Sequence, residues 1–172
     1  MKITRFAIKE KLYLHRIPLI SVFALLLAFL ISTFVCSLAF IYGDSMSPTY
    51  NDNDTVLLDR TAAAKKNLQN GDVIIFKNPN ISKHPIVKRI IALPGQTVEI
   101  IDGQLLVNGT VQDNMGNKLD KNENMEKITV EENCFFVMGD NFSCSVDSRN
   151  ANFGTIPRQL VIGKVICRIF PF

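Results

Sequence analysis

A chain of 172 residues, 47% hydrophobic and carrying a formal charge of +3, has room for one compact domain and one further segment. The charge is lopsided: residues 1–16 carry five Lys and Arg against Glu10, net +4, whereas residues 44–172 carry 14 Lys and Arg against 15 Asp and Glu, net −1. A folded portion so close to neutral argues against nucleic-acid binding, which wants a basic patch on the folded domain.

After the basic arm comes an uncharged run of 27 residues, Ile17 to Gly43. As a helix it would reach about 40 Å at about 1.5 Å per residue, against a hydrocarbon core of about 30 Å. Cys36-Ser37-Leu38-Ala39 offers the small residues of a secretory cleavage site. A signal peptide's apolar region, however, is only about 7–15 residues long, so a retained membrane anchor is expected. The positive-inside rule puts the arm in the cytoplasm and residues 44–172 outside. The expected organisation is therefore a cytoplasmic basic arm (1–16), a transmembrane helix (17–43) and an extracytoplasmic β-rich domain (44–172).

Beyond the run, short β-rich segments alternate with polar turns. Strands are expected at 55–58, 72–76, 98–101, 104–107, 134–138 and 161–169. Asp102-Gly103 supplies a two-residue hairpin turn, and Pro94-Gly95 suits the centre of a type II turn. Residues 61–69 suit one or two helical turns, and the polar stretch 110–129 reads as a loop or short insertion. The fold class is mainly β, a partly closed barrel or folded sheet. Cys36 falls in the apolar run, and no C-x-x-C pair occurs among Cys134, Cys144 and Cys167, which argues against zinc. Those three are expected reduced, one disulfide being the alternative.

The chemistry centres on two residues. Ser45 lies in Gly43-Asp44-Ser45-Met46-Ser47-Pro48-Thr49-Tyr50, just past the apolar run, on a stretch stiffened by Pro48. Taken alone, a serine there is an ordinary turn residue. Lys88 follows 43 residues later in Pro85-Ile86-Val87-Lys88-Arg89-Ile90-Ile91. Strand alternation sets Ile86, Lys88 and Ile90 on one face. If that face is covered, desolvation disfavours the ammonium and frees an amine to take a proton from Ser45. An isolated strand lysine more often snorkels to water. Arg89 cannot act as a base because guanidinium keeps its proton. His84 shares the parity of Lys88, but Pro85 intervenes and marks a strand start. A third segment, Gly139-Asp140-Asn141-Phe142-Ser143-Cys144-Ser145-Val146-Asp147-Ser148-Arg149, is either an ordinary polar loop or a brace for the lysine, with two hydroxyls and an Asp/Arg pair.

In four successive boxes the chain resembles the bacterial type I signal peptidases: Gly43–Thr49, Gly71-Asp72-Val73-Ile74-Ile75-Phe76, Val87–Gly95 and Gly139–Arg149. The resemblance implies a membrane-bound serine endopeptidase with a mostly β catalytic domain. It implies Ser45 as nucleophile, Lys88 as general base and Ser145 as the hydroxyl bonded to the lysine. Asp147 and Arg149 would form a structural ion pair, with Asp140 as a further supporting position. It implies no cofactor and no metal. The implied partners are preproteins with small residues before the cleavage site, membrane lipid and the protein-export machinery. The sequence departs from the pattern in places: Phe142-Ser143-Cys144 replaces the usual Arg-Asp-Asn. Four residues separate Arg149 from Gly154 where two are usual. Gly43 stands where some members carry a serine oxyanion donor. Two alternatives remain: a narrow-specificity conjugative-transfer processing peptidase of the same superfamily, and a non-catalytic membrane-tethered β scaffold, in which Ser45, Lys88 and Ser145 would have no reason to converge.

Overall fold

The computed structural model describes residues 18–30, 35–64, 67–112 and 119–171. The chain divides into two compact units, Met1–Cys36 and Ser37–Phe172. In the first, residues 18–30 are helical. The basic arm lies outside the described residues. Among the described residues no helix is long and apolar enough to cross a membrane.

The expectation of one helix over residues 17–43 is corrected. Cys36–Phe40 is a strand, β1, on the edge of a sheet. Along it Leu38 and Phe40 are exposed, Ala39 packs inward, and the next residue, Ile41, is fully buried. That is period-2 alternation. The sequence conceals it because both faces carry apolar or small residues, and an apolar run does not by itself separate strand from helix.

The second unit is mainly β. The strands that follow β1 are β2 (Thr55–Asp59), β3 (Val73–Phe76), β4 (Ile86–Ala92), β5 (Thr97–Ile101), β6 (Gln104–Val107), β7 (Thr110–Val111), β8 (Met125–Thr129), β9 (Cys134–Met138), β10 (Ile156–Pro157) and β11 (Val161–Phe170). They form a seven-stranded sheet, β1-β2-β11-β3-β4-β9-β10, and a four-stranded sheet, β7-β6-β5-β8. The larger sheet is open, ending at β1 and β10, and the mainly β expectation holds. In β3, buried at all four positions, Ile74 and Phe76 pack into one apolar cluster and Val73 and Ile75 into another. Both faces of this strand are therefore covered, which is why its sequence is continuously apolar. A third cluster joins Ile91, Phe136 and Met138 of the large sheet to Val98, Ile100, Leu105 and Val107 of the small one.

Local turn chemistry fixes the connections. Asp102 and Gly103 take positive φ (49° and 73°) between paired Ile101 and Gln104, as a two-residue hairpin demands. Gln96 N–H donates to Leu93 O at 3.1 Å across Pro94-Gly95, with Gly95 at φ 79°. Two expectations fail. The stretch 110–129 contains β7 and β8. In β8 only Met125 and Ile128 pack inward while Glu126 and Lys127 face water, too sparse an apolar pattern to read as a strand. Residues 61–64 form turns around the buried Ala62, and no helix occurs among the described residues of 61–69.

Candidate active site

Ser45 sits in a loop closed at its base by Ile41 N–H to Asp54 O (2.8 Å) and Asn53 N–H to Ile41 O (2.9 Å). Gly43 takes φ 81° and donates its N–H to Asp52 Oδ1 at 2.7 Å. Met46 anchors the loop by filling the core beside Ile41, Val56 and Val73. Asp54 is buried, accepting from Asn51 N–H (2.9 Å) and Arg168 (3.0 Å). The backbone bond and the guanidinium hold its carboxyl below the usual range against the opposing effect of burial. Ser45 itself is half-buried.

Lys88 lies on β4 opposite Ile74 and is 3% exposed. Its Nζ donates to Ser145 Oγ at 3.0 Å. Burial pushes the amine down to about 8. Asp147 and Asp140 favour its charged form, and Arg149 opposes it. The flanking isoleucines obey the alternation: Ile90 is fully buried and Ile86 packs against the same cluster.

Gly139, just after β9, is the point where these parts meet. Its N–H faces Ser145 Oγ (3.2 Å) and Asp147 Oδ2 (3.1 Å). A Cβ there would collide with Ser145 Oγ and with the Ser45 carbonyl, so only glycine fits. The Ser45 carbonyl also accepts from Asn141 N–H (3.0 Å), while Asn141 Nδ2 donates to Asp44 O (3.2 Å). The Ser45 loop, Lys88 and Ser145 thus converge, against the expectation for a scaffold. No hydrogen bond joins Ser45 Oγ to Lys88 Nζ among the described residues; the amine's bond goes to Ser145.

Asp147, wholly buried, pairs with Arg149 through Nε–Oδ1 (2.8 Å) and Nη2–Oδ2 (3.0 Å). Asp140 is engaged elsewhere: Arg89 grips it through Nε–Oδ1 (2.7 Å) and Nη2–Oδ2 (2.5 Å) and donates Nη1 to Gly71 O (2.7 Å). Sequence reasoning considered Arg89 only as a base and missed this clamp, which ties Asp140 to the Gly71 turn. Its position beside Lys88 puts it on the other strand face, which was the available signal. His84 is exposed, and the four cysteines are free.

An apolar cleft of about 350 Å³ opens beside β1, lined by Leu38, Phe40, Leu58, Ile75, Val87 and Ile162. A larger cavity of about 680 Å³, lined by Ala63, Glu132, Asn133, Cys134, Pro157 and Arg158, contains none of the candidate site residues Ser45, Lys88, Asp140, Ser145, Asp147 and Arg149.

The family model described as signal peptidase, peptidase S26, matches residues 14–170. Probable signal peptidase I-1 of Synechocystis is 35% identical over 164 residues, covering 91% of this chain and 82% of that one. Signal peptidase I S of Bacillus subtilis is 33% identical over 162 residues, covering 88% and 86%. Signal peptidase I of Leptolyngbya laminosa is 32% identical over 158 residues, covering 86% and 75%. The crystal structure of a signal peptidase I from Enterococcus faecalis aligns at 32% identity and a TM-score of 0.46, covering 58% of this chain and 97% of that one.

Proposed function

The chain belongs to the signal peptidase family, peptidase S26, and from that membership we propose that it cleaves N-terminal signal peptides from exported preproteins, with Ser45 as nucleophile and Lys88 as general base. The observation that carries the assignment is the Lys88 amine, buried, lowered to about 8 and bonded to Ser145 beside the Ser45 loop. The neutral amine takes the Ser45 proton as Oγ attacks the scissile carbonyl. The resulting ammonium protonates the leaving amine, and the acyl-enzyme is hydrolysed by a water that Lys88 deprotonates in turn. The Ser45 Oγ–Lys88 bond forms in the substrate complex, as catalytic hydrogen bonds often tighten only when substrate is bound. The Ser45 backbone N–H donates no hydrogen bond among the described residues and serves as the oxyanion donor. Asp140, Asp147 and Arg149 act as supports, holding the Gly139–Arg149 segment against Lys88.

The substrate lies extended against the sheet, its small side chains entering the apolar cleft at alternate positions. The protein sits in the cytoplasmic membrane with its arm inside and its β domain outside. The apolar stretch ahead of β1, residues 17–35, counts 19 residues, about the number a bilayer span requires. Leu38, Phe40 and Tyr42 of the β1 segment, which line the cleft, are exposed and suit contact with lipid. Of the apolar residues near the site in sequence, Met46 and Phe153 are core residues and Phe142 packs inward, so those three do not face the membrane. The decisive experiment is cleavage of a preprotein in detergent by wild type, Ser45→Ala and Lys88→Ala. Both variants should be inactive yet folded, and substantial cleavage by either would overturn the assignment.

A further inference from the structure

We propose that Glu123 is a positioning residue for this reaction, acting through Arg149 on the segment that carries Ser145. The inference rests on the dyad reading above. Arg149 gathers the Gly139–Arg149 segment around one guanidinium. Nη2 donates to Phe142 O (2.9 Å) and Ser145 O (3.3 Å) as well as to Asp147 Oδ2, and Nε donates to Asp147 Oδ1. Asp147 and Ser145 in turn receive the Gly139 N–H, and Ser145 Oγ receives Lys88 Nζ. The remaining arm, Nη1, has one partner among the described residues: Glu123 Oε1 at 2.8 Å. The Arg149 side chain is 13% exposed, so water cannot readily replace that carboxylate. Glu123 therefore braces the guanidinium from the side opposite Asp147, and the guanidinium's bond to the Ser145 carbonyl passes the constraint to the hydroxyl that holds the amine.

The second sheet positions Glu123. Its carbonyl accepts Gly103 N–H (3.0 Å) and its N–H donates to Asp120 O (2.9 Å). The tip of the β5–β6 hairpin presses so closely that a Cβ on Gly103 would lie 2.5 Å from Asp120 O and 2.9 Å from Lys121 Cα. The Asp102-Gly103 turn is thus part of the support of the site, delivered through a loop that contributes no residue to the dyad.

The test is preprotein cleavage by the full chain in detergent, with Ser45→Ala as the blank. Glu123→Ala should lower kcat about tenfold, the rate equivalent of one charge-assisted hydrogen bond, with KM unchanged within about twofold. Glu123→Gln keeps the acceptor and loses the charge, and should fall about threefold. Gly103→Ala should lower kcat in the same way. Lys127→Ala, which breaks the Lys127–Glu99 pair (3.1 Å) of the same sheet, should leave kcat unchanged. In a Ser145→Ala background, itself slowed but active, Glu123→Ala should cost under about twofold more, because the path to Lys88 is already cut. A general loss of stability would add in full. Melting temperatures identify any variant that does not fold, and Glu123→Gln replaces Glu123→Ala in the cycle if needed. Wild-type kcat in a folded Glu123 variant, a change in KM alone, or full additivity with Ser145→Ala would overturn the proposal and leave the dyad intact. Cleavage by Ser45→Ala would instead overturn the dyad.

Discussion

In the proposed mechanism, raising the pH titrates the amine that takes the Ser45 proton. Lys88 has its pKa lowered from 10.5 to about 8, with burial as the largest cause, and its side chain is 3% exposed. At pH 7 an amine of pKa about 8 is neutral in about 9% of molecules, whereas at 10.5 only about 0.03% would be. Burial thus multiplies the active fraction by about 300, equivalent to about 3 kcal/mol. Below its pKa the rate is proportional to the neutral fraction. The logarithm of kcat/KM should therefore climb with a slope of one between about pH 5.5 and 7.5 and bend to a plateau near 8. A single-turnover or steady-state assay on a preprotein in detergent, run from pH 5.5 to 10.5, measures this. Lys88→Arg should be inactive throughout, since guanidinium does not release its proton. A profile still rising steeply through pH 9, with its bend near 10.5, would mean that the lysine is solvated in the working enzyme. A flat profile would remove it as the base.

The same burial has a stability signature. Between about pH 8 and 10.5 the unfolded chain holds the Lys88 proton and the folded chain does not, so stability rises with pH across that window, and below it the fold bears the full desolvation cost. Lys88→Met should therefore melt higher than wild type at pH 7, with the gap closing by pH 10.5; a lower melting temperature at pH 7 would contradict the account. Gly139→Ala drives a methyl into Ser145 Oγ and the Ser45 carbonyl, so cleavage should fall by at least about a hundredfold, since displacing catalytic groups by about 1 Å costs that much. Near-wild-type activity in the alanine variant would refute the convergence at Gly139. Orientation is tested by protease protection: residues 44–172 should be digested in right-side-out spheroplasts and shielded in inverted vesicles. The reverse pattern would refute the topology.

Much of the architecture was legible because it is written in short-range chemistry. The Asp102-Gly103 hairpin and the Pro94-Gly95 turn follow from the φ values those residues accept. Strands such as β3 and β9 follow from apolar runs of strand length. Ser45 and Lys88 stand out because each carries a specific reactive group in a distinctive local motif, and the alternation around Lys88 places it between two inward isoleucines.

What remained hidden depends on pairings across the chain. The apolar run becomes strand β1 at Cys36 because β2 offers a hydrogen-bonding edge, and nothing between Ile17 and Gly43 marks that change. Strand β8 exists because β5 pairs with it, its own apolar pattern being too thin. The partner of Arg89 is 51 residues away and that of Glu123 is 26 residues away, beyond any periodicity. The sequence by itself determined which side chains are the candidates for the chemistry, since reactivity belongs to residue type. Tertiary structure decided how those groups are engaged: the amine bonded to Ser145, Asp140 held by Arg89, Met46 and Phe153 turned inward. Burial and long-range hydrogen bonds are properties of the assembled sheets, and they set the Lys88 proton affinity on which the proposed reaction depends.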